Sequence, residues 1–191
     1  MLGKFLVPTG VAGLLKSVAI SVAPVAAQQQ ATLASDSSFI QMVGSLGPLQ
    51  AKLGKLAGQK GSSPAVKDFA KRMVTDYETT NKELAAAAKQ AAHPSPVLLR
   101  QHKQTVEQFD RMSKSSFDKS YMAEVVRHHD EAVALFRQEA EKGRIASLKA
   151  LAAKMLPAVQ QEQGVAVQTA GAVGADVTAS TSDAKQGAGT R

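Results

Sequence analysis

The chain has no cysteine and no tryptophan, and only six Phe and two Tyr. Without thiols there is no disulfide framework, thiolate metal site or cysteine nucleophile. With so few aromatics and no clustered basic run, a nucleic-acid surface is excluded despite a formal charge of +7 and a pI near 9.7. No segment after the N-terminal region has the roughly 18 uncharged apolar residues of a transmembrane helix, so no spanning segment is expected in a mature chain. Nucleophile–base motifs and phosphate-cradling glycine loops are also missing. What is present is helical patterning. The 191 residues, 44% of them hydrophobic, suffice for one domain with a real core.

Residues 1–27 read as an export signal. Lys4 and Lys16 form a positive region, Ser17–Val25 a short apolar stretch, and Val25-Ala26-Ala27 a small-residue cleavage site before Gln28-Gln29-Gln30. An N-terminal amphipathic anchor is the alternative for the same pattern. Cleavage would remove two of the 23 basic residues, lowering +7 to +5, and would deliver a periplasmic or secreted product. The remaining charges are spread along helical faces, often one turn from an opposite charge, as in Asp68/Arg72, Glu78/Lys82, Glu107/Arg111 and Arg127/Glu131.

After a linker at 28–35, apolar residues recur every three or four positions from Asp36 to about Ala170. Phe39, Val43, Leu46, Leu49, Leu53 and Leu56 mark a first helix, with a kink or restart expected at Pro48. Ser63-Pro64 supplies an N-cap and a proline at the first helical position of a second, carrying Val66, Phe69, Met73, Tyr77, Leu84 and Ala88. A short helix follows with Leu98, His102, Val106, Phe109 and Met112 on one face. Ser115-Ser116-Phe117-Asp118 resembles a capping box opening a fourth, with Phe117, Tyr121, Val125, His129, Val133 and Phe136 inward and Lys142-Gly143 at its end. A last helix runs from about Ser147, and Pro157 should kink it. Residues 171–191, rich in Gly, Ala, Ser and Thr, read as a disordered tail. The fold class is all-α: an antiparallel four-helix bundle with an additional short helix.

Several ordered blocks carry a resemblance. Leu53-Gly54-Lys55-Leu56-Ala57, Ser62–Val74, Phe117–Met122, His129–Phe136 and Leu148–Pro157 together resemble the bacterial proteins grouped as domain of unknown function 4142, over roughly residues 36–168. The resemblance implies an exported, ferritin-like bundle with no settled activity. It also implies inward polar positions in four helices, occupied here by Gln50, Tyr77, His129 and either Gln161 or Glu162.

A carboxylate-bridged di-iron centre needs a Glu from each of two helices and Glu-x-x-His from each of the others. This chain has no Glu-x-x-His. Glu124 and His128, spaced i,i+4, permit a mononuclear site or an ion pair, with His128 expected at the boundary of the core. The inward set is Tyr77 (or Asp76), His129 and Glu162. Two readings stay open for Tyr77, His129 and Glu162: a buried hydrogen-bonded cluster that binds nothing, or a site for a transition metal. No catalytic residue and no organic cofactor is expected. His93 and His102 read as structural or solvated, and the methionines as core filler. The function expected is a non-catalytic role in the envelope or in stress tolerance, with an envelope protein as partner. The alternatives are a ferritin-like metal-binding or redox protein and, third, association with a membrane surface.

Overall fold

In a computed structural model of the chain, residues 25–177 are described, with side chains from Asp36 onward. They form five helices: α1 Val25–Lys60, α2 Pro64–Gln90, α3 Arg100–Arg111, α4 Lys114–Lys142 and α5 Ala146–Ala172. No strand occurs among the described residues, and none of their helices is long and apolar enough to cross a membrane. Most of the expected signal, residues 1–24, lies outside the described residues. Residues 28–35, expected as a linker, continue α1.

The four long helices pack as a ring, α1 on α2, α2 on α5, α5 on α4 and α4 on α1. Long-range caps fix their directions. The buried carboxylate of Asp36, in α1, accepts the backbone N–H groups of Arg144 and Ile145 at 3.2–3.3 Å, where α4 ends and α5 begins. At the opposite end Asp118, in α4, accepts N–H bonds from Ser62 and Ser63 at 2.7–3.2 Å, where α1 gives way to α2. Each carboxylate thus serves a helix N-terminus, where backbone donors lack partners and the helix dipole favours negative charge. Ring neighbours are therefore antiparallel, while α2 and α4 run the same way. The chain must return about 40 Å between the end of α2 and the start of α4. Residues 91–113, with α3 at their centre, form that crossover along the seam between α1 and α4.

Asp118 caps α2 rather than α4, so the expected capping box is not formed; α4 begins at Lys114 after Ser113. At the far end of α3, Lys60 Nζ bonds the carbonyls of Phe109, Asp110 and Met112, a cation on a negative helix terminus. α1 continues through Pro48 as one helix, without the expected restart. Its neighbouring glycines have a packing reason: a Cβ at Gly44 would strike Pro96 of the crossover, and one at Gly47 would strike Asn81 of α2. α5 likewise continues through Pro157, whose missing N–H leaves the Ala153 carbonyl without its helical donor on an exposed stretch.

The core has two apolar clusters. One gathers Leu49, Leu53, Phe69, Met73, Phe117 and Tyr121; the other gathers Phe39, Ile40, Leu84, Phe136, Leu148 and Val159. Tyr77, His129 and Glu162 lie between them along their helices. The segment expected to be a disordered tail is ordered at its start, since α5 reaches Ala172 and Val173, Ala175 and Val177 pack on the first cluster. Residues 178–191 lie outside the described residues.

α2 and α5 end in the same hydrogen-bonded turn. At α5 the left-handed position is Gly174, φ 64°; at α2 it is Ala92, φ 56°. A Cβ there costs about 1 kcal/mol relative to glycine. Ala92→Gly is therefore expected to stabilise the protein by about 0.5–1 kcal/mol, read as a higher urea midpoint at unchanged slope.

Candidate functional site

His129 is 1% exposed and both of its ring nitrogens face protein groups. Nδ1 lies 2.8 Å from the carbonyl of Val125, one turn back on α4, and Nε2 lies 3.1 Å from the Tyr77 hydroxyl on α2. A carbonyl only accepts, so Nδ1 carries a proton, and in the neutral ring the Tyr77 O–H donates to Nε2. Burial first, then the negative charge of Glu162, pushes the Tyr77 phenol well above its ordinary pKa and keeps it a donor. Glu162 Oε2, from α5, is 3.8 Å from Nε2 and its side chain is a quarter exposed. The structure thus brings together all three residues of the expected set. Of the two candidates on α5, Glu162 turns inward and Gln161 is exposed. Asp76, the alternative to Tyr77, lines an outer pocket with Glu162, Gln161 and Arg72. Its pKa is raised by burial and by Glu162, with Arg72 opposing.

A second polar group lies beside the first. His128, expected at the boundary, is instead buried, 1% exposed. Its Nε2 takes a contact of 2.6 Å from the Arg127 guanidinium and stands 3.3 Å from Glu124 Oε1; its Nδ1 has no partner. Arg127 also bonds Glu124 at 2.8 Å and reaches Glu131 at 3.8 Å, so the guanidinium occupies the position among these groups that a cation would take. Burial lowers the His128 pKa to about 4, with Glu124 opposing and Arg127 adding to the shift. Burial alone would raise Glu124, but its hydrogen bond to Arg127 and the charges around it hold it below its ordinary value. Glu124 is therefore ion-paired with Arg127, and His128 lies against that pair as a neutral ring.

His102, on α3, completes this group. Its ring stands edge-on to His128 at 5.9 Å, and its Nδ1 is 2.5 Å from Ser45 Oγ. That is a nucleophile–base distance, but Ser45 is fully buried and its oxygen already accepts the N–H of Leu99. Gln50, on α1, is 2% exposed with Nε2 unpartnered. A cavity of about 40 Å³ lies among Leu46, Gln50, Tyr77, His128, Phe136 and Glu162, with room for a few waters.

A bridged pair of ions needs several carboxylates, and this centre offers one carboxylate, one imidazole and one neutral phenol, so it does not fit. No group of three or more His, Cys, Asp or Glu placed to hold a metal ion occurs among the described residues.

The family of proteins described as domain of unknown function (DUF4142) matches residues 21–169. The chain belongs to that family. No curated protein and no solved structure matches it. In this DUF4142 chain the inward positions implied by the resemblance do converge, Gln50, Tyr77 and Glu162 around the cavity and His129 behind Tyr77.

Residue patterns did not reveal Asp36 or Glu139 as buried acids, and they placed Asp118 in a capping box of α4 rather than at the start of α2. Glu139 has a signal in retrospect, standing three residues after the inward Phe136. The two capping aspartates have none, because their partners lie 55 and 108 residues away.

Proposed function

We propose that this chain is an exported helical-bundle protein with a non-catalytic role in the cell envelope, its inward polar residues serving to fix the packing of the four helices. The observation that carries this reading is the commitment of both His129 nitrogens to protein partners, the Val125 carbonyl and the Tyr77 hydroxyl. A buried imidazole held in one tautomer by a neutral phenol is a satisfied core group. Tyr77→Phe and His129→Gln are each expected to lower stability by about 1–2 kcal/mol. The double variant should lose less than the sum, because the two side chains share one bond. Strict additivity in urea unfolding would overturn the structural role.

Export is part of the proposal, supported by the basic, apolar and small-residue order of residues 1–27. N-terminal sequencing of protein from a periplasmic extract should begin at Gln28; recovery of the chain only from cytoplasm, starting at Met1, would refute it. The single long crossover is the connectivity that a ferritin-like bundle uses.

One observation favours a second reading, a metal-binding bundle. Tyr77 Oη and Glu162 Oε2 both approach His129 Nε2, and a ligating histidine commonly donates its other N–H to a backbone carbonyl, as His129 does to Val125. Tyr77, His129 and Glu162 would then hold one transition-metal ion with mixed nitrogen and oxygen donors.

A further inference from the structure

We propose that the cavity between the two core clusters is a binding site for a small uncharged molecule with an acceptor oxygen and a hydrogen to donate, reached from solvent past Glu162. Two buried donors point to it. Gln50 Nε2 and His128 Nδ1 have no protein partner, and both of these buried side chains line the cavity. The Arg127 guanidinium donates to His128 Nε2 at 2.6 Å, so in the neutral ring the hydrogen sits on Nδ1. An orphaned buried donor is costly, and two on the walls of one cavity call for an acceptor inside it.

The opposite requirement comes from Glu162, which lines the same cavity with a carboxylate that only accepts. The Tyr77 hydroxyl, also on the wall, has given its hydrogen to His129 and offers lone pairs alone. This arrangement selects charge: two N–H donors disfavour a cation, and the carboxylate disfavours an anion. Leu46, Phe136 and Val159 line the site with apolar surface. An all-apolar cavity of this kind stays dry, whereas four polar groups supply the partners that a bound oxygen needs. About 40 Å³ takes roughly three water-sized positions, filled by ordered waters or by one solute of about three non-hydrogen atoms. Ala158 and Glu162 line both this cavity and the outer pocket that holds Arg72, Asp76 and Gln161. One turn of α5 is thus the wall between site and solvent, and Glu162, a quarter exposed, stands in it.

NMR on the ¹⁵N-labelled full chain at neutral pH tests this, with formamide as the solute probe. The Gln50 side-chain amide and the His128 ring N–H should both show cross-relaxation with long-lived water. Formamide, which has one acceptor oxygen and an NH₂ to donate, should shift both signals saturably and displace that water. Gln50→Leu removes one donor and should weaken formamide binding by roughly fivefold or more. Water cross-relaxation without a saturable formamide shift supports the site and identifies water as its occupant. Absence of both signals at both nitrogens overturns the proposal, as does formamide binding of equal strength in Gln50→Leu. Should Gln50→Leu fail to fold, the unaltered protein decides, because a dry cavity gives no water cross-relaxation at either nitrogen.

Discussion

Asp36→Ala is expected to destabilise the bundle by about 1–2 kcal/mol, the cost of removing the cap from two part-buried backbone donors at one helix N-terminus. Asp36 is fully buried, and its carboxylate is the partner of the Arg144 and Ile145 N–H groups that open α5. Asp36→Asn keeps one acceptor oxygen and should recover about half of the loss. Asp118→Ala, at a half-buried site on the opposite end, should cost less. Urea midpoints at pH 7 measure all three, and equal stability of Asp36→Ala and the parent would show that α5 starts without this cap. Gly61 belongs to the same construction as Asp118, since a Cβ there would meet the Ala57 carbonyl and crowd the carboxylate.

Glu139→Gln is expected to stabilise the protein by about 1–3 kcal/mol at pH 8 and to leave it unchanged near pH 4.5. Glu139 is 1% exposed and neither carboxyl oxygen has a hydrogen-bond donor, while Gly143 packs so closely that a Cβ would strike the carboxyl group. Burial raises its pKa to about 7, the nearby Asp36 adds to the shift, and Lys149 opposes it. The sign follows from proton counts. Between pH 4.5 and 7 the folded chain keeps a proton at Glu139 that the unfolded chain releases, so stability falls as pH rises through that window, and the full cost persists above it. Glutamine carries no such charge. A difference between parent and variant that does not change from pH 4.5 to 8 would contradict this assignment.

The helices were legible because the apolar stripes are nearly unbroken. Phe39, Phe69, Phe117 and Phe136 sit inward as their spacing predicts, and Ser63-Pro64 and Lys142-Gly143 mark real helix boundaries. Direction was not legible, because periodicity says which face is buried and nothing about which end a distant aspartate will cap. The site was half legible. Tyr77, His129 and Glu162 lie on the inward stripes, so their convergence follows from packing the stripes together. His128 is rotated by one residue, about 100°, from His129, which puts it at the edge of a four-helix core. It is buried because a fifth element, the crossover with His102, covers that edge. Pro48 starts no new helix for a related reason: a proline in a long helix need not end it when tertiary packing fixes both halves.

Whether the polar centre is structural or a metal site is decided by elemental mass spectrometry of the mature protein, from Gln28 onward, after exposure to Fe(II), Mn(II) and Zn(II) and desalting. The structural reading predicts folded protein without stoichiometric metal, and the same traces for His129→Ala as for the parent. One equivalent of a transition metal in the parent, lost in His129→Ala and in Glu162→Ala while both remain folded, would contradict it and make Tyr77, His129 and Glu162 ligands.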